Sequence, residues 1–167
     1  MTGTSTTTGD DQDRFAMQQC LSLAREAAEH GEVPVGAVVM RDGIVLGQGR
    51  NRCEERRDAT AHAEMEALRA AIARVGEGRI PGATLYCTLE PCFMCAGAAL
   101  HARVARIVFA ARDPKFGACG SLAELPADRR LNHRCPVDEG CGAEESAELL
   151  RKFFRALRRS GSSPDGG

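Results

Sequence analysis

Ala83-Thr-Leu-Tyr-Cys-Thr-Leu-Glu-Pro-Cys-Phe-Met-Cys-Ala-Gly-Ala-Ala-Leu-His-Ala-Arg-Val-Ala-Arg-Ile-Val-Phe-Ala110 decides the fold. Ala83–Thr88 reads as a strand, Phe93–His101 as a helix and Arg106–Ala110 as a second apolar strand. Two strands joined through one helix imply a parallel pair with a right-handed crossover, and helices must then cover the sheet. Upstream, Val35–Met40 is a continuous apolar run, followed by the turn residues Arg41-Asp-Gly43 and by Ile44–Leu46, which together predict a β-hairpin. Asp13–Glu29 has helical apolar spacing and stops at Gly31, while Ala61–Val75 is rich in strong helix formers and ends before Gly76. Downstream, Asn132–Val137 predicts an edge strand and Ala143–Leu157 a final helix. The expected architecture is a three-layer α/β/α domain on a mixed five-stranded sheet.

Composition agrees with one globular domain. The chain has 167 residues, 43% apolar and 27% charged, enough to bury a core of its own. Its longest apolar stretches fall well short of the roughly 20 residues needed for a membrane span, so a membrane protein is excluded. Met1–Gly9 is rich in Thr and Gly and lacks the basic-then-apolar pattern of a secretory signal. Residues 1–12 and 160–167 are expected to be flexible tails around a domain at 13–159. Eight cysteines without a signal predict free thiols in a reducing cytoplasm. Cys20, Cys87 and Cys141 fit small buried groups; Cys53, Cys119 and Cys135 receive no role. Net charge is only −1, yet bases gather between Arg103 and Arg134 and again along Arg151–Arg159, where a solvated helix face and a polyanion contact are both open readings.

His62-Ala-Glu64 opens one predicted helix and Pro91-Cys-Phe-Met-Cys95 the next. Helix starts beyond strand ends converge in open α/β sheets, where ligands bind. Cys92 and Cys95, three residues apart, can present both sulfurs to one ion, and a helix N-terminus favours thiolates. With His62 they make three ligands for Zn²⁺, leaving the fourth position open as in a catalytic site. Glu64, a carboxylate that is not a ligand, can carry a proton. A closed structural site lacks a second suitable cysteine pair, and a redox CxxC leaves His62 and Glu64 without purpose. His-x-Glu with Pro-Cys-x-x-Cys is the signature of zinc nucleobase deaminases.

The chain is similar to the cytidine deaminase superfamily and within it resembles the bacterial tRNA-specific adenosine deaminases. The resemblance rests on Glu32-Val-Pro-Val-Gly-Ala-Val38, Thr60-Ala-His-Ala-Glu64, Thr88-Leu-Glu-Pro-Cys-Phe-Met-Cys-Ala-Gly97, Ala111-Arg-Asp113, Gly117-Ala-Cys-Gly-Ser121 and Asn132-His-Arg134, and it runs from about Asp13 to Arg158. It implies a cytidine-deaminase-like fold and hydrolytic deamination of adenosine to inosine at the wobble position of a tRNA anticodon, that of an arginine tRNA, by a cytoplasmic homodimer with one Zn²⁺ per subunit. It further implies a substrate pocket near Val33, Asn51 and the Ala63 backbone. Asp113, Lys115, Phe154 and Arg155 are matched to positions that face RNA. Arg50 and Ala59 depart from the family pattern, which more often has an aromatic or His before Asn51 and Pro before Thr60.

The metal site alone does not choose among bases, so a free nucleobase or nucleoside deaminase acting on guanine or cytosine stays open, as does an idle RNA-binding subunit. Several residues keep plainer roles beside the implied ones: Asn51 can cap a turn, and Phe153 and Phe154 can belong to a core.

Overall fold

The structure, a computed structural model, describes residues 9–161; the tail assignments for residues 1–8 and 162–167 lie outside it. In chain order the elements are α1 (Gly9–Glu29), β1 (Gly36–Arg41), β2 (Ile44–Arg50), α2 (Cys53–Arg56), α3 (Ala63–Val75), β3 (Thr84–Leu89), α4 (Phe93–His101), β4 (Arg106–Ala111), a 3-10 turn (Leu125–Ala127), β5 (Val137–Glu139) and α5 (Ala143–Arg159). The sheet order is β2-β1-β3-β4-β5. β1 is antiparallel to both β2 and β3, whereas β3, β4 and β5 run parallel, which makes the sheet mixed.

The central strands are apolar throughout because both faces are covered. Ala37, Val39, Leu85, Cys87, Ile107 and Phe109 join α3 and α4 in one core. Their neighbours Val38, Met40, Tyr86, Val108 and Ala110 point the other way, toward Ala16, Met17, Cys20 and Leu21 of α1. The hairpin turn has Asp42 and Gly43 at φ 52° and 75°, both left-handed as a tight two-residue connection requires.

Two glycines set how closely α3 lies on β2. A Cβ on Gly47 would stand 2.5 Å from the Ala67 carbonyl oxygen and 2.5 Å from the Ala71 nitrogen, and one on Gly49 2.8 Å from the Ala63 oxygen. Bare backbone at these positions lets α3 rest directly on the hairpin, and its first turn carries the site.

Some boundaries differ from the expected ones. α1 begins at Gly9 rather than Asp13, and α3 at Ala63 rather than Ala61. The edge strand is Val137–Glu139, not Asn132–Val137. His133 Nε2 instead donates to the Val104 carbonyl at 2.7 Å, and Cys135 N to the Pro126 carbonyl at 3.1 Å. β5 takes its register through ion pairs of Asp138 with Arg106 (2.8 Å) and Glu139 with Arg112 (2.7 Å). Among the described residues no helix is long and apolar enough to cross a membrane.

Candidate metal and deamination site

His62 is the N-cap of α3 and Cys92 the N-cap of α4, both with extended backbone. Pro91 directly precedes the cap, two residues before the first helical residue Phe93. Cys95 lies one turn inside α4. The two helix starts meet: His62 Nδ1 is 3.6 Å from Cys92 Sγ and 3.5 Å from Cys95 Sγ, and the three ligand atoms lie within 4.8 Å of one another. Tetrahedral zinc with bonds of about 2.3 Å to sulfur and about 2.0 Å to nitrogen requires N···S separations near 3.5 Å. The donor set and its spacing therefore fit Zn²⁺.

Glu64, in the first turn of α3, is buried, and its Oε2 accepts from Cys95 Sγ at 3.4 Å. Burial raises its pKa above the ordinary carboxylate range, so this carboxyl takes up a proton more readily than one in water. The hydrogen bond to Cys92 raises the pKa of His62. The Cys95 hydrogen bond brings Cys92 down to about 4, and the same contact, with burial, drives Cys95 upward.

Asn51 and Val33 are neighbours, with Asn51 Nδ2 donating to the Val33 carbonyl at 3.4 Å. Asn51 Oδ1 also accepts from Cys53 N at 3.3 Å, the turn-capping role left open above. Ala63 is the first residue of α3, so its amide belongs to the free N-terminal set of that helix. Asp113 Oδ1 accepts the amides of Lys115 (3.0 Å) and Phe116 (3.2 Å), which shapes the loop after β4. An isolated antiparallel bridge between Cys92 and Gly117 lays that loop along the ligand turn. Phe154 and Arg155 sit on the distal half of α5. Phe154 packs edge-on against Phe153 with ring centroids 5.5 Å apart, and Arg155 pairs with Glu148; among the described residues nothing connects either to the ligands.

Two buried carboxylates escaped the sequence reading. Glu90 Oε1 accepts Asp113 N at 3.1 Å, and its Oε2 accepts Cys119 N and Ser121 N at 3.0 Å each. The Ser121 hydroxyl donates to it as well. A Cβ on Gly117 would stand 2.2 Å from this carboxylate, so glycine is required there. Glu32 accepts the amides of Glu54 (2.9 Å) and Glu55 (3.0 Å) and anchors α2 beside Asn51. The one available signal was an acid at the end of an apolar run, directly before Pro91. The departure at position 50 is also accounted for. Arg50 is buried, its guanidinium donates to the Asn51 carbonyl at 3.2 Å, and it pairs with Glu55 at 3.4 Å.

Residues 10–158, which contain all of these groups, match the model of the MafB19-like deaminase family. The chain belongs to that family. This deaminase is 43% identical over 148 residues to the tRNA-specific adenosine deaminase of Bacillus subtilis, covering 89% of the chain and 92% of that relative. That degree of likeness groups it with the tRNA-specific adenosine deaminases. A solved structure from a study of A-to-I editing by tRNA:A34 deaminases superposes with a TM-score of 0.79 at 44% identity, covering 81% of this chain and 99% of the other. A guanine deaminase from Nitrosomonas europaea superposes less closely, with a TM-score of 0.71 at 28% identity over 85% of this chain and 84% of that one.

Proposed function

We propose that this deaminase converts adenosine to inosine at the wobble position of a tRNA anticodon, that of an arginine tRNA, as a cytoplasmic homodimer holding one Zn²⁺ per subunit. The observation that carries this reading is the 43% identity across 89% of the chain to a tRNA-specific adenosine deaminase, against 28% to a guanine deaminase.

His62, Cys92 and Cys95 would hold the ion. Zinc bound there supplies the Lewis acidity that makes water nucleophilic near neutral pH. Glu64 does the proton work. Its buried carboxylate takes a proton from the attacking water, delivers it to the ring nitrogen beside the reacting carbon, and assists departure of the amino group as ammonia. Oxygen is gained and ammonia lost, with no change of redox state. Val33, Asn51 and the Ala63 amide are assigned to the base and its ribose. Asp113, Lys115, Phe154 and Arg155 are assigned to the RNA.

Purified protein should form inosine at the wobble adenosine of an arginine anticodon stem-loop and leave free adenine, adenosine, guanine and cytosine essentially untouched. Rapid guanine or cytosine turnover with no inosine in the stem-loop would overturn the tRNA assignment and leave the metal site and Glu64 standing.

A further inference from the structure

We propose that Phe93 and Phe116 form a stacking subsite, beside the metal-ligand turn, for the unpaired nucleobase adjoining the reacting one in a single-stranded RNA loop. The inference rests on the tRNA reading above and extends it to two residues that reading does not use.

Both rings are unusually open to water, Phe93 at 50% and Phe116 at 46% exposure, and neither belongs to either core cluster. They are paired by the chain path. Phe93 directly follows Cys92, Phe116 directly precedes Gly117, and Cys92 and Gly117 face each other in an antiparallel bridge. The bridge is a single one, because Phe93 already begins α4, but it brings the two backbone segments together, so the exposed aromatic residue next to each bridged position lies beside the ligand turn. The rings that do touch among the described residues are Phe153 and Phe154; Phe93 and Phe116 keep their faces for something else.

The platform is built in advance. Phe116 N donates to Asp113 Oδ1 at 3.2 Å and Gly117 N to the Asp113 carbonyl at 2.9 Å. Just beyond, Glu90 holds the amides of Cys119 and Ser121. A ring on such a pinned loop loses little freedom when a ligand stacks on it. Lys115, the preceding residue, is exposed and makes no ion pair among the described residues, which places a cation for backbone phosphate next to the ring. Exposed aromatic faces with an adjoining cation are what unpaired bases recognise.

The test uses the full-length zinc-loaded enzyme and an arginine anticodon stem-loop in which the base 5′ or 3′ to the target adenosine is replaced by an abasic residue or by 2-aminopurine. Phe93→Ala and Phe116→Ala should each raise KM roughly tenfold, with the loss falling on KM rather than kcat, and Phe116→Tyr should restore it. At one flanking position the abasic substitution should cost the wild type a similar factor and cost the alanine variants nothing further. Fluorescence of 2-aminopurine at that position should be quenched by the wild type and less so by the variants. With an active wild type, KM values within about twofold, an abasic penalty that persists in the variants, or variants that elute as a smaller species would overturn the subsite alone; the last outcome would make the rings a contact between copies of this chain. A wild type inactive on the stem-loop would overturn the tRNA reading and this inference with it.

Discussion

Glu64, in the first turn of α3, and Cys92, the N-cap of α4, differ in chemical role. The carboxyl touches a ligand but is not required for the three-donor set, while the sulfur belongs to it. Glu64→Gln should keep stoichiometric zinc by elemental analysis and lose about 10²- to 10⁴-fold in turnover; Cys92→Ala should lose metal and activity together. Equal metal loss in both variants would make Glu64 a ligand. Asp113 allows a second separation. Its Oδ1 supports the amides of Lys115 and Phe116, a duty an amide oxygen can also perform, so Asp113→Asn should melt like the wild type yet show a smaller preference for RNA over a matched DNA hairpin. An unchanged RNA to DNA activity ratio removes Asp113 from the interface. The four side chains at the metal site were legible in the sequence because His62, Glu64, Cys92 and Cys95 form two short local motifs. Glu90 and Glu32 were not, because their donors come from Asp113, Cys119 and Ser121 in one case and from Glu54 and Glu55 in the other. Such partners exist only after the chain has folded back on itself.

At the scale of elements, the seating of α3 on the hairpin makes the sharpest claim. Gly47→Ala inserts a methyl group where backbone atoms of Ala67 and Ala71 already stand within 2.5 Å, so it should cost about 1–3 kcal/mol in denaturant unfolding and weaken zinc retention by moving His62. Unaltered stability would show that α3 shifts freely. Apolar periodicity revealed the hairpin, the crossover pair and the long helices, since each is fixed by residues close in sequence. The edge strand was misplaced for a physical reason. Asp138 and Glu139 look unlike strand residues, but an edge tolerates charge, and Arg106 and Arg112 wait on the neighbouring strand and the loop that follows it. Lone Asx turns, the short α2 and the 3-10 turn carry too few residues to show a period at all.

Across the whole molecule, Asp13 ties the first helix to the sheet. It accepts from both Arg106 terminal nitrogens, at 2.8 and 2.7 Å, and from the Tyr86 hydroxyl at 2.8 Å. The Arg106 hydrogen bonds, aided by Tyr86, hold its pKa below the ordinary value against the opposing effect of burial. A carboxylate whose pKa is depressed by folding stabilises the native state above its unfolded pKa, and that stabilisation disappears as pH falls through the folded value. The stability gap between wild type and Asp13→Asn should thus be full at pH 6–7 and close below about pH 4. A gap that stayed constant in urea melts from pH 7 to pH 3 would mean that the charge of Asp13 contributes nothing. Charge also predicts how the substrate is held. Lys152, Arg158 and Arg159 on α5 make no ion pair among the described residues, and stem-loop affinity should fall steeply with added salt if they meet phosphates.

The ligands are shared between the starts of two helices that belong to one face of the sheet, His62 on α3 and Cys92 with Cys95 on α4. An ion bound there is a removable staple between two helix starts that the chain itself joins only through α3, β3 and their loops. Loading with zinc should therefore slow amide hydrogen exchange in the opening turns of α3 and α4 by a factor set by free metal over its dissociation constant. The amides of α1, which packs on the opposite face against Val38, Tyr86 and Val108, should keep their exchange rates, so that metal occupancy is recorded on one side of the sheet only.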